Sequence, residues 1–232
     1  MSTDEELRRL HWKVTGCRRC PRLVAWRERV AREKRAAYRD WDYWGRPVPG
    51  FGDPAARLLI LGLAPGAHGG NRTGRIFTGD RSGDWLFASL WRTGFANQPT
   101  SVSRDDGLKL RDCYITAPVK CAPPDNKPSP QERANCAPWL EGELGLLETI
   151  RVVVALGSYA WDTALRHLGP VRPKPRFAHG ARAALPDDRT LLGSFHVSQQ
   201  NTQTGRLTEP MLDGVFTRAR ELLESSSSPG DR

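Results

Sequence analysis

Residues Arg57 to Asp80 read RLLILGLAPGAHGGNRTGRIFTGD: an apolar run, Arg57 to Leu63, entered after Pro54, leaves through Pro65 and Gly66 into a glycine-rich loop that ends in an aromatic and a carboxylate. A short continuous apolar run bounded by turn residues reads as a buried strand delivering a functional turn. Similar runs recur at Cys113 to Val119 (CYITAPV), Arg151 to Leu156 (RVVVAL) and Thr190 to Phe195. Runs of this kind, continuous and rich in β-branched residues, suit parallel strands covered on both faces. Helical spacing lies between them. Asp84 to Arg92 carries Trp85, Leu86, Ser89 and Leu90; Ser129-Pro130-Gln131-Glu132 has capping-box order; Tyr159 to Leu168 can form a further helix; Leu212, Val215, Phe216, Ala219, Leu222 and Leu223 share one face of a helix starting near Thr208 and Pro210. Strands alternating with helices predict an α/β fold, a three-layer α/β/α sandwich with a mainly parallel sheet.

The chain has 232 residues, enough for one well-buried domain, and 35 Lys+Arg against 26 Asp+Glu leave a net charge of +9. Eight Trp, seven Phe and four Tyr exclude a disordered or fibrous chain. No apolar run reaches the ~18 residues of a spanning helix, and the charged start Met1 to Leu10 is unlike a signal peptide. A soluble cytoplasmic protein without a membrane partner is expected. Residues 1–46 hold 13 Lys+Arg and 7 Asp+Glu, so this basic N-terminal arm carries +6 of the surplus and favours a polyanion such as DNA or RNA. Residues 225–232, SSSSPGDR, read as a disordered tail.

In a parallel sheet, ligand sites gather beyond the carboxyl ends of the strands. The loops expected there are loaded: Gly62 to Asp80, Lys120 to Ser129 and His196 to Arg206. The first is neither G-x-x-x-x-G-K-[ST] nor G-x-G-x-x-G, so nucleotide-hydrolase and dinucleotide readings lack support. Five cysteines stand in a chain where lasting disulfides are not expected. Cys17 and Cys20 form C-x2-C, Cys121 and Cys136 form a second, wider pair, and Cys113 falls inside a strand. Four thiolates suit either zinc or an iron-sulfur cluster, and their spacing leaves both open. A zinc deaminase is disfavoured, because H-x-E is missing and Cys20-Pro21 reverses the P-C order.

GLAPGAHGGNRTGRIFTGD at 62–80, KCAPPDNKP at 120–128, QQNTQTGRLT at 199–208 and the four-Cys pattern together resemble the type b (family 5) enzymes of the uracil-DNA glycosylase superfamily, over nearly the whole chain. The resemblance implies a single domain over 1–224 with a four-stranded sheet, and a structural [4Fe-4S] cluster on Cys17, Cys20, Cys121 and Cys136 that tethers the N-terminal segment. It implies a monomeric, monofunctional glycosylase of base excision repair, removing uracil and other deaminated bases such as hypoxanthine from double-stranded and also single-stranded DNA, associated with the nucleoid during repair. Asp80, Asn126 and His196 would then be catalytic. Gly62, Leu63, Ala64, His68, Asn71 and Phe77 would form the base pocket, and Arg72, Gln199, Gln200, Asn201 and Arg206 would contact DNA. Two positions depart from related patterns: Leu63 stands where type a relatives have Glu, and Val197 where Pro is common. The rival reading is a non-catalytic, metal-stabilised nucleic-acid-binding module.

Overall fold

The computed structural model describes residues 2–225; the tail expected over 225–232 lies, from residue 226 on, outside them. Four strands, β2 (Leu58–Leu61), β3 (Cys113–Thr116), β4 (Val152–Leu156) and β6 (Thr190–Ser194), form the parallel centre of the sheet. The order is β1-β3-β2-β4-β6-β5, with β1 (Phe51–Gly52) and β5 (Arg182–Ala184) added antiparallel at the two edges. The expectation of four strands is therefore corrected to a mixed sheet of six among the described residues. The edge strands are two and three residues long, too short to show a period, and they cover the open ladder groups of β3 and β6.

Successive strand residues point to opposite faces, and the sequence divides accordingly. Leu58, Ile60, Ile115, Val152 and Val154 join one core with Leu86 and Leu90 of α4 (Arg81–Arg92) and Leu212, Phe216 and Ala219 of α8 (Glu209–Ser225). Leu59, Leu61, Val153, Ala155 and Leu191 face the other side. They pack there with Leu7 of α1 (Thr3–Thr15), Leu140 of α5 (Pro130–Leu146) and Trp161 of α6 (Ser158–His167). β2 and β4 are apolar throughout, and β3 and β6 nearly so, because each is buried on both faces. The capping box opens α5 as expected: Ser129 Oγ accepts from Glu132 N, and Glu132 Oε2 accepts from Ser129 N at 2.7 Å.

The basic arm is two helices docked on the domain. Helix α1 lies against α5, α2 (Pro21–Glu33) buries Leu23, Val24 and Val30, and the remaining short helices are α3 (Gly70–Thr73) and α7 (Gln199–Gln203). Beneath the arm, Lys120 Nζ meets Glu143 Oε2 at 2.6 Å with both side chains out of solvent. Glu143 Oε1 also accepts from Gly50 N at 2.9 Å, so the buried charges are hydrogen-bonded as well as paired.

Candidate active site

Strands β2, β3 and β6 release their loops at one edge of the sheet, and those loops enclose a cavity of about 720 Å³. Leu63, Ala64, His68, Phe77, Asp80, Asn126, His196, Gln199 and Gln200 line it, so three separately read segments converge.

Asp80 is the N-cap of α4, with Oδ1 accepting from Gly83 N at 3.0 Å. A Cβ at Gly69 would lie 1.8 Å from the other oxygen, Oδ2, so this carboxylate sits flush against bare backbone. Desolvation raises the Asp80 pKa, opposed by the amides of Gly83 and Ser82. Phe77 adopts φ 51°, an uncommon left-handed conformation for an aromatic, and is itself largely buried. Its ring would be 2.9 Å from a Cβ at Gly62, so Gly62 lies beneath the pocket and makes room for the ring without lining the cavity. The Phe77 and His196 ring centroids are 6.1 Å apart. Burial pulls the His196 pKa down to about 4, which keeps the imidazole neutral near pH 7. Asp125 and Asn126 follow at φ 52° and 55°, a left-handed turn that Asp and Asn tolerate best.

The remaining expected residues lie outside the lining of this cavity. Asn71 is fully buried, and its Nδ2 donates to the carbonyls of Arg27 (3.2 Å) and Ala67 (3.4 Å), so it joins α2 to the first loop and does not line the pocket. Arg72 is buried rather than at the surface. Its guanidinium lies 3.9 Å from the Tyr38 ring centroid and 4.1 Å from that of Trp41, and donates to the carbonyls of His68 and Gly79. Asn201 holds the third loop by donating to the His196 carbonyl at 2.8 Å. Val197, buried in the core, anchors the same turn. Arg206 is exposed with its guanidinium 4.7 Å from the Phe195 ring centroid, outside the cavity. Arg35 and Tyr38 also line the cavity, from the arm, and their signal in the sequence is the aromatic cluster Tyr38, Trp41, Tyr43 and Trp44.

Cys17, Cys20, Cys121 and Cys136 line one further small cavity, apart from Cys113, which is buried in β3. Arg27 Nη1 donates to Cys121 Sγ at 2.9 Å, Lys120 N to Cys136 Sγ at 3.3 Å, and Asn135 Nδ2 to Cys20 Sγ at 3.6 Å. Burial pushes the Cys121 thiol up to about 11 and Cys136 up to about 12, so thiolates there call for positive charge. Arg27 Nε and Trp139 Nε1, of two residues on the same wall, are buried without a partner. Four cysteine sulfurs on the wall of one small cavity, with donors aimed at three of them, are a donor set that a thiolate-ligated metal group would accept.

A family model described as the uracil DNA glycosylase superfamily matches residues 49–220. The chain is 57% identical over 211 residues to a Type-5 uracil-DNA glycosylase of Mycobacterium tuberculosis, covering 90% of this chain and 79% of that one. It is 56% identical over 209 residues to a Type-5 uracil-DNA glycosylase of Thermus thermophilus, covering 90% and 94%. A Type-4 uracil-DNA glycosylase of Pyrobaculum aerophilum is 31% identical over 165 residues, covering 71% and 67%.

Proposed function

The chain belongs to the uracil DNA glycosylase superfamily, and from that premise we propose how its cavity carries out the chemistry. The protein is a hydrolase that excises uracil from DNA by cleaving the N-glycosidic bond, a step of DNA repair. The high identity to Type-5 relatives supports placing it in that branch.

A base in a duplex hides its glycosidic bond, so the nucleotide must be extruded, at a cost of a few kcal/mol that is least for a mispaired base. Phe77, held by its backbone against Gly62, stacks on the extruded base. As the bond lengthens, positive charge grows on the sugar and negative charge on the base. The Asp80 oxygen left free of the helix cap faces the first and holds or deprotonates the attacking water. Neutral His196 donates a hydrogen bond to the carbonyl of the departing base, with no prior protonation needed. Asn126 contacts the base edge or the water. Gln199 and Gln200, exposed at the rim, reach the DNA groove.

Leu63 gives the cavity no carboxylate at a position where type a relatives carry one, which supports a pocket reading the base by stacking and extrusion cost. Such a pocket admits other deaminated bases, including hypoxanthine, from double-stranded and single-stranded DNA. We assign Cys17, Cys20, Cys121 and Cys136 to a structural [4Fe-4S] cluster, which when bound would clamp the two N-terminal helices to the loop after β3. Arg27, Lys120 and Asn135 would hold it by hydrogen bonds to the sulfurs. The acting species is taken as a single chain of one domain.

The observation that carries the mechanism is that Asp80, His196, Phe77 and Asn126, from three separate loops, line one cavity. Asp80→Asn keeps an oxygen for the Gly83 amide and removes the negative charge, so it should fold normally. Single-turnover release of uracil from a labelled duplex, read by alkaline cleavage of the abasic product, should fall by about 10²–10⁴. A rate equal to the parent's would reject the role of Asp80, and duplex binding with no base release by the parent protein would reject catalysis altogether.

A further inference from the structure

A groove of about 900 Å³ lies between the end of α1, the middle of α2 and the segment Trp44 to Arg46. Of its four cationic side chains, Arg18 pairs with Glu28 and Arg27 is buried against Cys121 Sγ and the Cys17 carbonyl, which leaves Lys13 and Arg46 facing the groove as its cations. The mechanism above uses none of them as a contact to substrate.

Two tryptophans stand in this groove in different states. Trp44 is fixed: its indole N–H donates to the Pro47 carbonyl at 3.0 Å, and the guanidiniums of Arg104 and Arg46 lie 4.9 Å and 5.6 Å from its ring centroid. Trp12 is 78% exposed on the outer face of α1, beside Lys13. It stands on the groove wall with its ring face open to a planar partner, next to the cation of Lys13. A protein helix would need an apolar floor, and here only the two indoles supply one. Duplex DNA would meet the cations with phosphates but offer the ring of Trp12 nothing to stack on. Unpaired nucleotides satisfy both features, bases on the indole and phosphates on the cations.

The groove is also tied to the catalytic loop. Trp44 N and Gly45 N donate to the carbonyls of Arg72 and Asn71 on α3, at 2.9 and 3.0 Å, and the same arm segment contributes Arg35 and Tyr38 to the active cavity. We propose that this groove is a second nucleic-acid site, which takes a single strand of DNA by stacking a base on Trp12 and neutralising phosphates with Lys13 and Arg46. The inference rests on the DNA-repair reading for its class of polymer, but not on the identity of the excised base.

The test uses a labelled thymidine oligomer of about twelve nucleotides, which lacks uracil, in fluorescence anisotropy titrations at two salt concentrations. Trp12→Ala should weaken binding roughly tenfold, while Trp91→Ala, which removes another exposed indole from α4, should leave it unchanged. Lys13→Gln combined with Arg46→Gln should make the slope of log affinity against log salt shallower by about 1.4, two phosphates at ~0.7 each. Single-turnover excision from a short uracil duplex should match the parent's in all three proteins. Unchanged oligomer binding by Trp12→Ala, equal losses in Trp12→Ala and Trp91→Ala, or a dimer of the parent dispersed by Trp12→Ala would each overturn the site. Trp12-dependent binding in a protein that released no uracil would uphold the groove while removing the glycosylase reading.

Discussion

Asp80 caps α4 through Oδ1 and also lines the cavity, so the protonation of a single side chain bears on both the start of α4 and the reaction. Desolvation places its titration above the ordinary 3.8, while His196 titrates at about 4, well below the ordinary 6.5. Acid therefore removes activity through both groups, by neutralising the carboxylate and by charging the imidazole. Single-turnover excision should rise with pH along a limb above the usual carboxylate value and then level off, with no step near 6.5. A step there that disappears in His196→Gln would contradict a neutral donor. Stability runs the opposite way at Asp80: its folded pKa exceeds the unfolded one, so its favourable contribution is full below 3.8 and is lost as pH rises through the raised value. Asp80, Phe77, Asn126 and His196 were legible in the sequence because each sits at a marked place in a loop that follows an apolar run. Asn71 and Arg72 were not, since a polar side chain in a glycine-rich loop looks the same whether it turns toward a ligand or toward its own backbone.

At the scale of elements, the first loop is held from behind by α2. Asn71 alone bridges the Arg27 carbonyl and the Ala67 carbonyl, and Arg27 in turn donates to Cys121 Sγ and to the Cys17 carbonyl. The loop that carries His68 and the cysteine cavity thus share a strut of two residues. Asn71→Ala takes the donor from two buried carbonyls, those of Arg27 and Ala67, at about 1–3 kcal/mol, which should lower the melting temperature by roughly 3–9 °C. Calorimetry checks this, and an unchanged melting temperature would show that the strut does not stabilise the fold. The four central strands and the helices between them were readable because twofold burial leaves continuous apolar runs and the helices alternate faces. The edge strands β1 and β5 were not, because pairing with a neighbour, rather than any pattern of their own, makes them strands.

Across the whole molecule, charge and architecture divide the work. Surplus cations gather in the N-terminal segment, which contributes Arg35 and Tyr38 to the active cavity and most of the second groove, while the sheet supplies the rigid platform. That the arm is packed helix rather than a loose chain could not be read from charge alone; it follows from the apolar stripe of Leu7 and Val14 and of Leu23, Val24 and Val30, which the net charge obscures. Among the described residues no helix is long and apolar enough to cross a membrane. All loops of the active cavity follow the carboxyl ends of the parallel strands, and the β5–β6 hairpin turns at their amino ends, where Asp187 and Asp188 are exposed at φ 59° and 56°. The two ends should therefore differ in what they tolerate. A short Gly-Ser insert between Asp187 and Asp188 should leave uracil release intact, whereas the same insert between Asp125 and Asn126 should abolish it, which gives a ready position for a surface tag or a fused partner domain.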